Sequence, residues 1–137
     1  MKEIEIYFKL KIMVTGSRKK DCVNFLKMPI WKFNEKLKHD TFSENEIERL
    51  LYFFGDKEIN IDVKTPYEKL MIYVIKNSLS WRELACRCGV APTYLHGHRL
   101  KYFVHMPDDL ARAIEKECGI DKNDWRVLKK TPYNIGG

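Results

Sequence analysis

Residues 80–100, SWRELACRCGVAPTYLHGHRL, are where the chain is most legible. Ser80 and Glu83 have the spacing of a capping box, in which the serine oxygen accepts from the amide three residues on and the glutamate reaches back. A helix therefore starts at Ser80. Leu84, Ala85 and Cys88 then share one face, with Arg82, Glu83 and Arg87 directed elsewhere. Gly89 suits the left-handed residue that ends a helix, and Val90 is an apolar plug behind it. Pro92 fits the first turn of a new helix, where its missing amide costs nothing, and Leu95 supplies that helix's inward contact. Thr93, Tyr94, His96 and Arg99 are left facing outward.

This spacing resembles the Cro/CI-type (XRE-like, lambda-repressor-like) helix-turn-helix family, over roughly Tyr67 to Trp125. The segment MPDDLARAIEKECGI, residues 106–120, is similar to the helix that follows the recognition helix in that family. Ahead of the motif, Thr65, Pro66 and Glu68 form another capped start, for a helix through Leu70, Ile72, Tyr73, Val74 and Ile75. His98 departs from the family, standing where an aliphatic residue is usual, and is expected to be a satisfied, partly buried histidine. The resemblance implies an all-α fold and double-stranded DNA as partner.

A second copy emerges when each residue is set against the one 62 positions later. Val23 falls on Ala85, Leu26 on Cys88, Met28 on Val90 and Phe33 on Leu95. Leu10, Ile12 and Met13 fall on Ile72, Val74 and Ile75. SENEIERLLYFFG matches PDDLARAIEKECG once the preceding loop is two residues shorter in the first copy, and Ser43 with Glu46 repeats the capping box. Lys27 replaces the turn glycine and Val23 the small alanine. The expected architecture is all-α: two tandem lambda-repressor-like helix-turn-helix bundles packed through a short linker. Residues 1–63 would be a degenerate helix-turn-helix domain and residues 64–137 the helix-turn-helix DNA-binding domain, joined near Ile61 to Thr65.

Composition permits this. The 137 residues are 45% hydrophobic and 32% charged, as a globular protein requires, and small helical domains of about 60 to 70 residues fold alone. The N-terminus, MKEIEIYFKLKIMV, has interspersed charges and reads as neither signal peptide nor membrane span; it is open between a short strand and the run-in to the first helix. The expected location is the bacterial cytoplasm, at the nucleoid when bound.

Cys22, Cys88 and Cys118 occupy expected core positions, where a reduced thiol acts as a small apolar group. Cys86 and Cys88, two apart on a helix, diverge, as do His96 and His98, and with His105 they do not make zinc-ligand spacing. Neither metal nor cofactor is expected. The carboxylates pair with no histidine at a suggestive spacing, there is no phosphate-binding glycine loop, and Asp108 and Asp109 suit a helix start better than acid/base work. The expectation is a non-enzyme.

The net charge of +6 is unevenly spread. Residues 9–38 carry nine Lys/Arg against Asp21 and Glu35, a local +7, and residues 40–62 two against seven acids, a local −5. Residues 76–101 carry five against Glu83, a local +4, with acid gathered later in residues 108–124. Both copies share this polarity, which suits phosphate neutralisation by the segment that would lie on DNA.

The start of each third helix is where a major groove would be read. In the second copy the candidate base readers are Thr93, Tyr94, His96 and Arg99, with Arg82 and Lys101 at phosphates. In the first, Asn34 suits adenine, and Lys19, Lys20 and Lys32 suit phosphates. Ile30 and Trp31 are poor hydrogen-bonding readers. Trp31 has three open readings: core packing, contact with thymine methyls or a sugar edge, and an anchor for a protein partner. The resemblance implies a sequence-specific transcriptional regulator of phage or mobile-element type, a repressor controlling its own operon among others, with a homodimer as an admitted assembly. The alternative is an interaction protein, similar to small phage anti-CRISPR inhibitors, that uses the scaffold to bind a host protein.

Overall fold

The computed structural model describes residues 1–63, 65–95 and 106–125, and among these the chain is all-helical, with seven helices and no strand. It divides into two units, Met1–Val63 and Lys64–Gly137. No helix among the described residues is long and apolar enough to cross a membrane.

The first unit comprises α1 (Glu3–Thr15), α2 (Lys19–Phe25), α3 (Ile30–His39) and α4 (Glu44–Phe54). Helix α1 takes up the alternating stretch in which strand and helix were both open. Glu3 and Glu5 lie in its first turn, where the helix dipole favours acid, and Glu5 pairs with Lys9 at 3.1 Å. Its buried residues, Ile4, Ile6, Tyr7, Phe8 and Leu10, are spread around the helix rather than along one stripe, which hides the helical period in the sequence.

Helix α3 packs on α1 and α2, and α4 packs on α2. Phe33 is fully buried between Phe8 (ring centroids 5.0 Å) and Phe42 (5.4 Å), in a cluster with Tyr7, Cys22, Val23, Leu26, Leu37 and Leu50. Polar ties close the edges. The Tyr7 hydroxyl donates to Asp56 at 2.6 Å, and Lys11 reaches the same carboxylate at 3.0 Å. The capping box at α4 forms as expected: the Ser43 amide donates to Glu46 at 2.8 Å and the Glu46 amide to the Ser43 hydroxyl at 3.2 Å. Lys36 then donates to both Glu46 oxygens, at 2.6 and 2.8 Å, fastening α3 to the start of α4.

The second unit contains α5 (Pro66–Lys76), α6 (Trp81–Cys88) and α7 (Asp108–Cys118). Thr65 caps α5 by accepting from the Glu68 amide. Ser80 and Glu83 form the full capping box of α6, and Gly89 closes that helix at φ +73°. Helix α7 packs on α6, and Tyr73 on α5 donates to Glu117 on α7 at 3.0 Å.

The left-handed backbone positions recur between the units. Gly16 and Ser78 stand 62 residues apart, as do Lys27 and Gly89, and Gly55 and Gly119 stand 64 apart. The helix bounds follow the same spacing, α2 beginning at residue 19 and α6 at 81, α4 at 44 and α7 at 108. Burial agrees at Cys22 with Leu84, Val23 with Ala85, Phe33 with Leu95 and Leu50 with Ile114. It disagrees along the first helices: Leu10 is buried and Ile12 and Met13 are half-buried, whereas Ile72 is half-buried and Val74 and Ile75 are buried. The better-matched pair there is Phe8 with Leu70. Cys22 is a core thiol, but Cys88 and Cys118 are only half-buried, because each ends its helix at the rim of the unit. Pro92 opens a turn: the amides of Tyr94 and Leu95 both bond the Ala91 carbonyl, and Leu95 is fully buried.

Lys27 holds φ +55° at the position of Gly89. A side chain in that region costs roughly 1 kcal/mol, so Lys27→Gly should raise stability to urea by about 1 kcal/mol. Nothing lies within 4 Å of a Cβ built on Gly89, so the cost of Gly89→Ala is confined to backbone strain, again about 1 kcal/mol. Partial burial pushes the Glu46 carboxyl up, but Lys36 and Ser43 outweigh it and hold the carboxyl below its usual range. Its stabilisation is full above the unfolded value of about 4.3 and drains as pH falls through the lowered folded value. Glu46→Gln should accordingly flatten the acid limb of a stability-against-pH curve.

Candidate nucleic-acid interface

In the first unit, Phe33 and Leu37 take the inward positions of α3, which leaves Trp31, Asn34, Glu35 and Lys38 on its outward face. Trp31 is 66% exposed and Ile30 50%. Core packing of Trp31 therefore does not hold: two residues before Phe33, it falls across the helix from the core. Asn34, Lys20 and Lys32 are exposed. Lys19 is half-buried, with its ammonium 5.9 Å from the centroid of the Phe33 ring, a cation–π contact that sets the start of α2 beside the middle of α3.

The local +7 of residues 9–38 is reduced by pairing. Lys9 pairs with Glu5, Lys11 with Asp56, Arg18 with Asp21 and Lys36 with Glu46. The Arg18–Asp21 pair is largely exposed and so weak, leaving that guanidinium available to a phosphate. Lys19, Lys20, Lys27, Lys32 and Lys38 stand outside these pairs, on α2, the turn and α3. Lys27 and Lys38 were not singled out from sequence, although the run of nine cations contains them. The turn carrying Lys27 is braced from α4: Arg49 donates to the Phe25 carbonyl at 2.7 Å and lies 5.5 Å from that ring. Phe25 in turn stacks on the exposed Tyr52 at 6.1 Å and 12°. This bond satisfies a carbonyl that the end of α2 would otherwise leave open.

In the second unit, Arg82 is exposed in the first turn of α6 and Thr93 is exposed in the turn after it. Tyr94 is half-buried, and its hydroxyl donates to Asp109 at the start of α7 at 3.0 Å. That bond engages the polar atom through which Tyr94 was expected to read a base, and Asp109 is a partner that sequence spacing did not reveal. Burial, then Glu117, raises the Tyr73 phenol above its usual value, while the Arg87 side chain beside it acts the other way. Arg87 thus borders the α5–α7 tie as well as solvent. His96, Arg99 and Lys101, together with His98 and His105, lie outside the described residues.

Cys22, Cys88 and Cys118 are held protonated near neutral pH. Burial pushes Cys22 and Cys118 up to about 12 and Cys88 up to about 11. Among the described residues no group of three His, Cys, Asp or Glu is placed to hold a metal ion.

No family model, curated protein or solved structure matches this chain.

Proposed function

We propose that the chain is a double-stranded DNA-binding transcriptional regulator built from two tandem helix-turn-helix units of the Cro/CI type, acting as a repressor of its own or a neighbouring operon in a phage or other mobile element. The observation that carries this reading is the recurrence, at one spacing, of a short helix, a left-handed turn residue and a fully buried apolar side chain: α2, Lys27 and Phe33, then α6, Gly89 and Leu95. A helix held by such a turn and such a plug offers its outer side to a groove. The cations outside ion pairs on α2, the turn and α3 support phosphate contact by the same elements. Specific reading belongs to Thr93 and Arg99 in the second unit, with Arg82 and Lys101 as phosphate contacts.

Titrating salt against binding to random-sequence duplex DNA tests the sequence-independent part. A log–log slope near −0.9 for each phosphate neutralised is expected, and Lys20→Ala with Lys32→Ala should make it shallower by about two contacts. A slope near zero for the full chain would sink the proposal. Selection from a random duplex pool should return a defined operator, against which Thr93→Ala and Arg99→Ala each cost about 1–3 kcal/mol.

The exposure of Ile30 and Trp31 favours a second reading, in which the first unit anchors a host protein. Trp31→Ala separates the two: weakened binding to duplex DNA places the indole at thymine methyls or sugar, and unchanged binding assigns it to protein contact.

A further inference from the structure

Among the described residues four large hydrophobic side chains are exposed, and three of them, Ile30, Trp31 and Tyr52, flank one turn of the first unit. Ile30 and Trp31 open α3 directly after that turn. Tyr52, 79% exposed on α4, stacks on Phe25, the residue that ends α2 on the other side of it. Phe25 and Ile30 are five residues apart, at most about 17 Å of chain. Exposed apolar residues scattered singly are ordinary, whereas three around one turn mark a contact surface. This apolar pole is rimmed by charges of both signs. Lys27 in the turn and Lys32 on α3 stand on one side, and Glu44 and Glu48, eight and four residues before Tyr52, continue its stripe along α4 on the other. All four are exposed, and none makes an ion pair among the described residues.

We propose that this pole is a self-association surface on which a second copy of the chain docks about a two-fold axis, with Ile30 and Trp31 of each copy against Tyr52 of the other and the lysines of each against the other's glutamates. A two-fold axis presents a surface to itself, so charges match only where a patch carries one sign on each side of its centre. This pole does. A polyanion lying over all of it would satisfy the lysines and be repelled by the glutamates, and a partner of uniform charge would match one half. The apolar centre and charged rim are those of a protein interface, and tryptophan and tyrosine are the side chains that most often anchor one. Pairing covers the start of α3 and so withholds it from DNA under the proposed function; the surface itself does not rest on that reading.

Sedimentation equilibrium of the full chain without DNA, from roughly 1 µM to 1 mM at low salt, tests the proposal. The expected result is a reversible monomer–dimer equilibrium that added salt weakens, because the rim charges are exposed. Trp31→Ala and Tyr52→Ala should each raise the dimer dissociation constant about tenfold or more, with thermal unfolding unchanged because both side chains are exposed. Charge reversal then tests reciprocity. A chain with Lys27→Glu and Lys32→Glu, and another with Glu44→Lys and Glu48→Lys, should each be monomeric alone and form an equimolar dimer on mixing, and adding Trp31→Ala to both should abolish that dimer. A wild-type chain that stays monomeric leaves the pole to a foreign protein or to duplex DNA and overturns the proposal. So does a dimer that Trp31→Ala and Tyr52→Ala leave unchanged, or a pair of reversed variants that stay monomeric when mixed.

Discussion

Phe33 is the contact on which the first unit depends. Wedged fully buried between Phe8 and Phe42, it fixes both the distance of α3 from α1 and the rotation of α3 about its own axis. Burying an aromatic of this size contributes about 2–3 kcal/mol in transfer alone, and its removal would cost more through the cavity left behind. With that rotation set, the outward side chains follow without freedom: Trp31, Asn34, Glu35 and Lys38 face water because Phe33 and Leu37 do not. Leu95 holds the corresponding place in the second unit and is equally buried. The exposed side of α3 is thus specified from beneath, by residues that never reach the surface.

The turn before each plug shows how one backbone requirement is met by two chemistries. A short helix that must reverse within a few residues leaves carbonyls open and drives one residue into the left-handed region. Gly89 meets this at little cost, with the Val90 amide bonding back to the Ala85 carbonyl at 3.0 Å. Lys27 meets it with strain, offset by the Arg49 guanidinium that satisfies Phe25 and lies against its ring. The exchange gives the first unit an additional cation in the turn, at the point where the proposed DNA face needs one.

Charge is redistributed by folding. A string of nine cations becomes a few exposed lysines once Lys36 has fastened α3 to α4 and Lys11 has joined Tyr7 at Asp56. The paired cations stabilise the fold at its seams. Those outside ion pairs among the described residues suit the polyanion of the proposed function, whose long-range attraction is screened by salt over about 10 Å at 0.1 M.

Local signals were sufficient for the helices with chemical punctuation. Ser43 with Glu46, Ser80 with Glu83, and the glycines at 55, 89 and 119 announce helix ends because capping and left-handed closure involve residues within a few positions of one another. The repeat at 62 residues was legible for the same reason, since it is written in plugs and turns. What needed the tertiary structure were the properties that depend on distant neighbours. The alternating start of the chain became a helix because its buried side chains are met on several sides. Trp31 went to solvent because Phe33 claimed the core. Tyr94 found Asp109 fifteen residues on, and Trp125 was buried with its indole donor unpaired among the described residues. The sequence determined where helices begin and end through short-range hydrogen bonding. Only packing decided which side of each helix is free to meet another molecule.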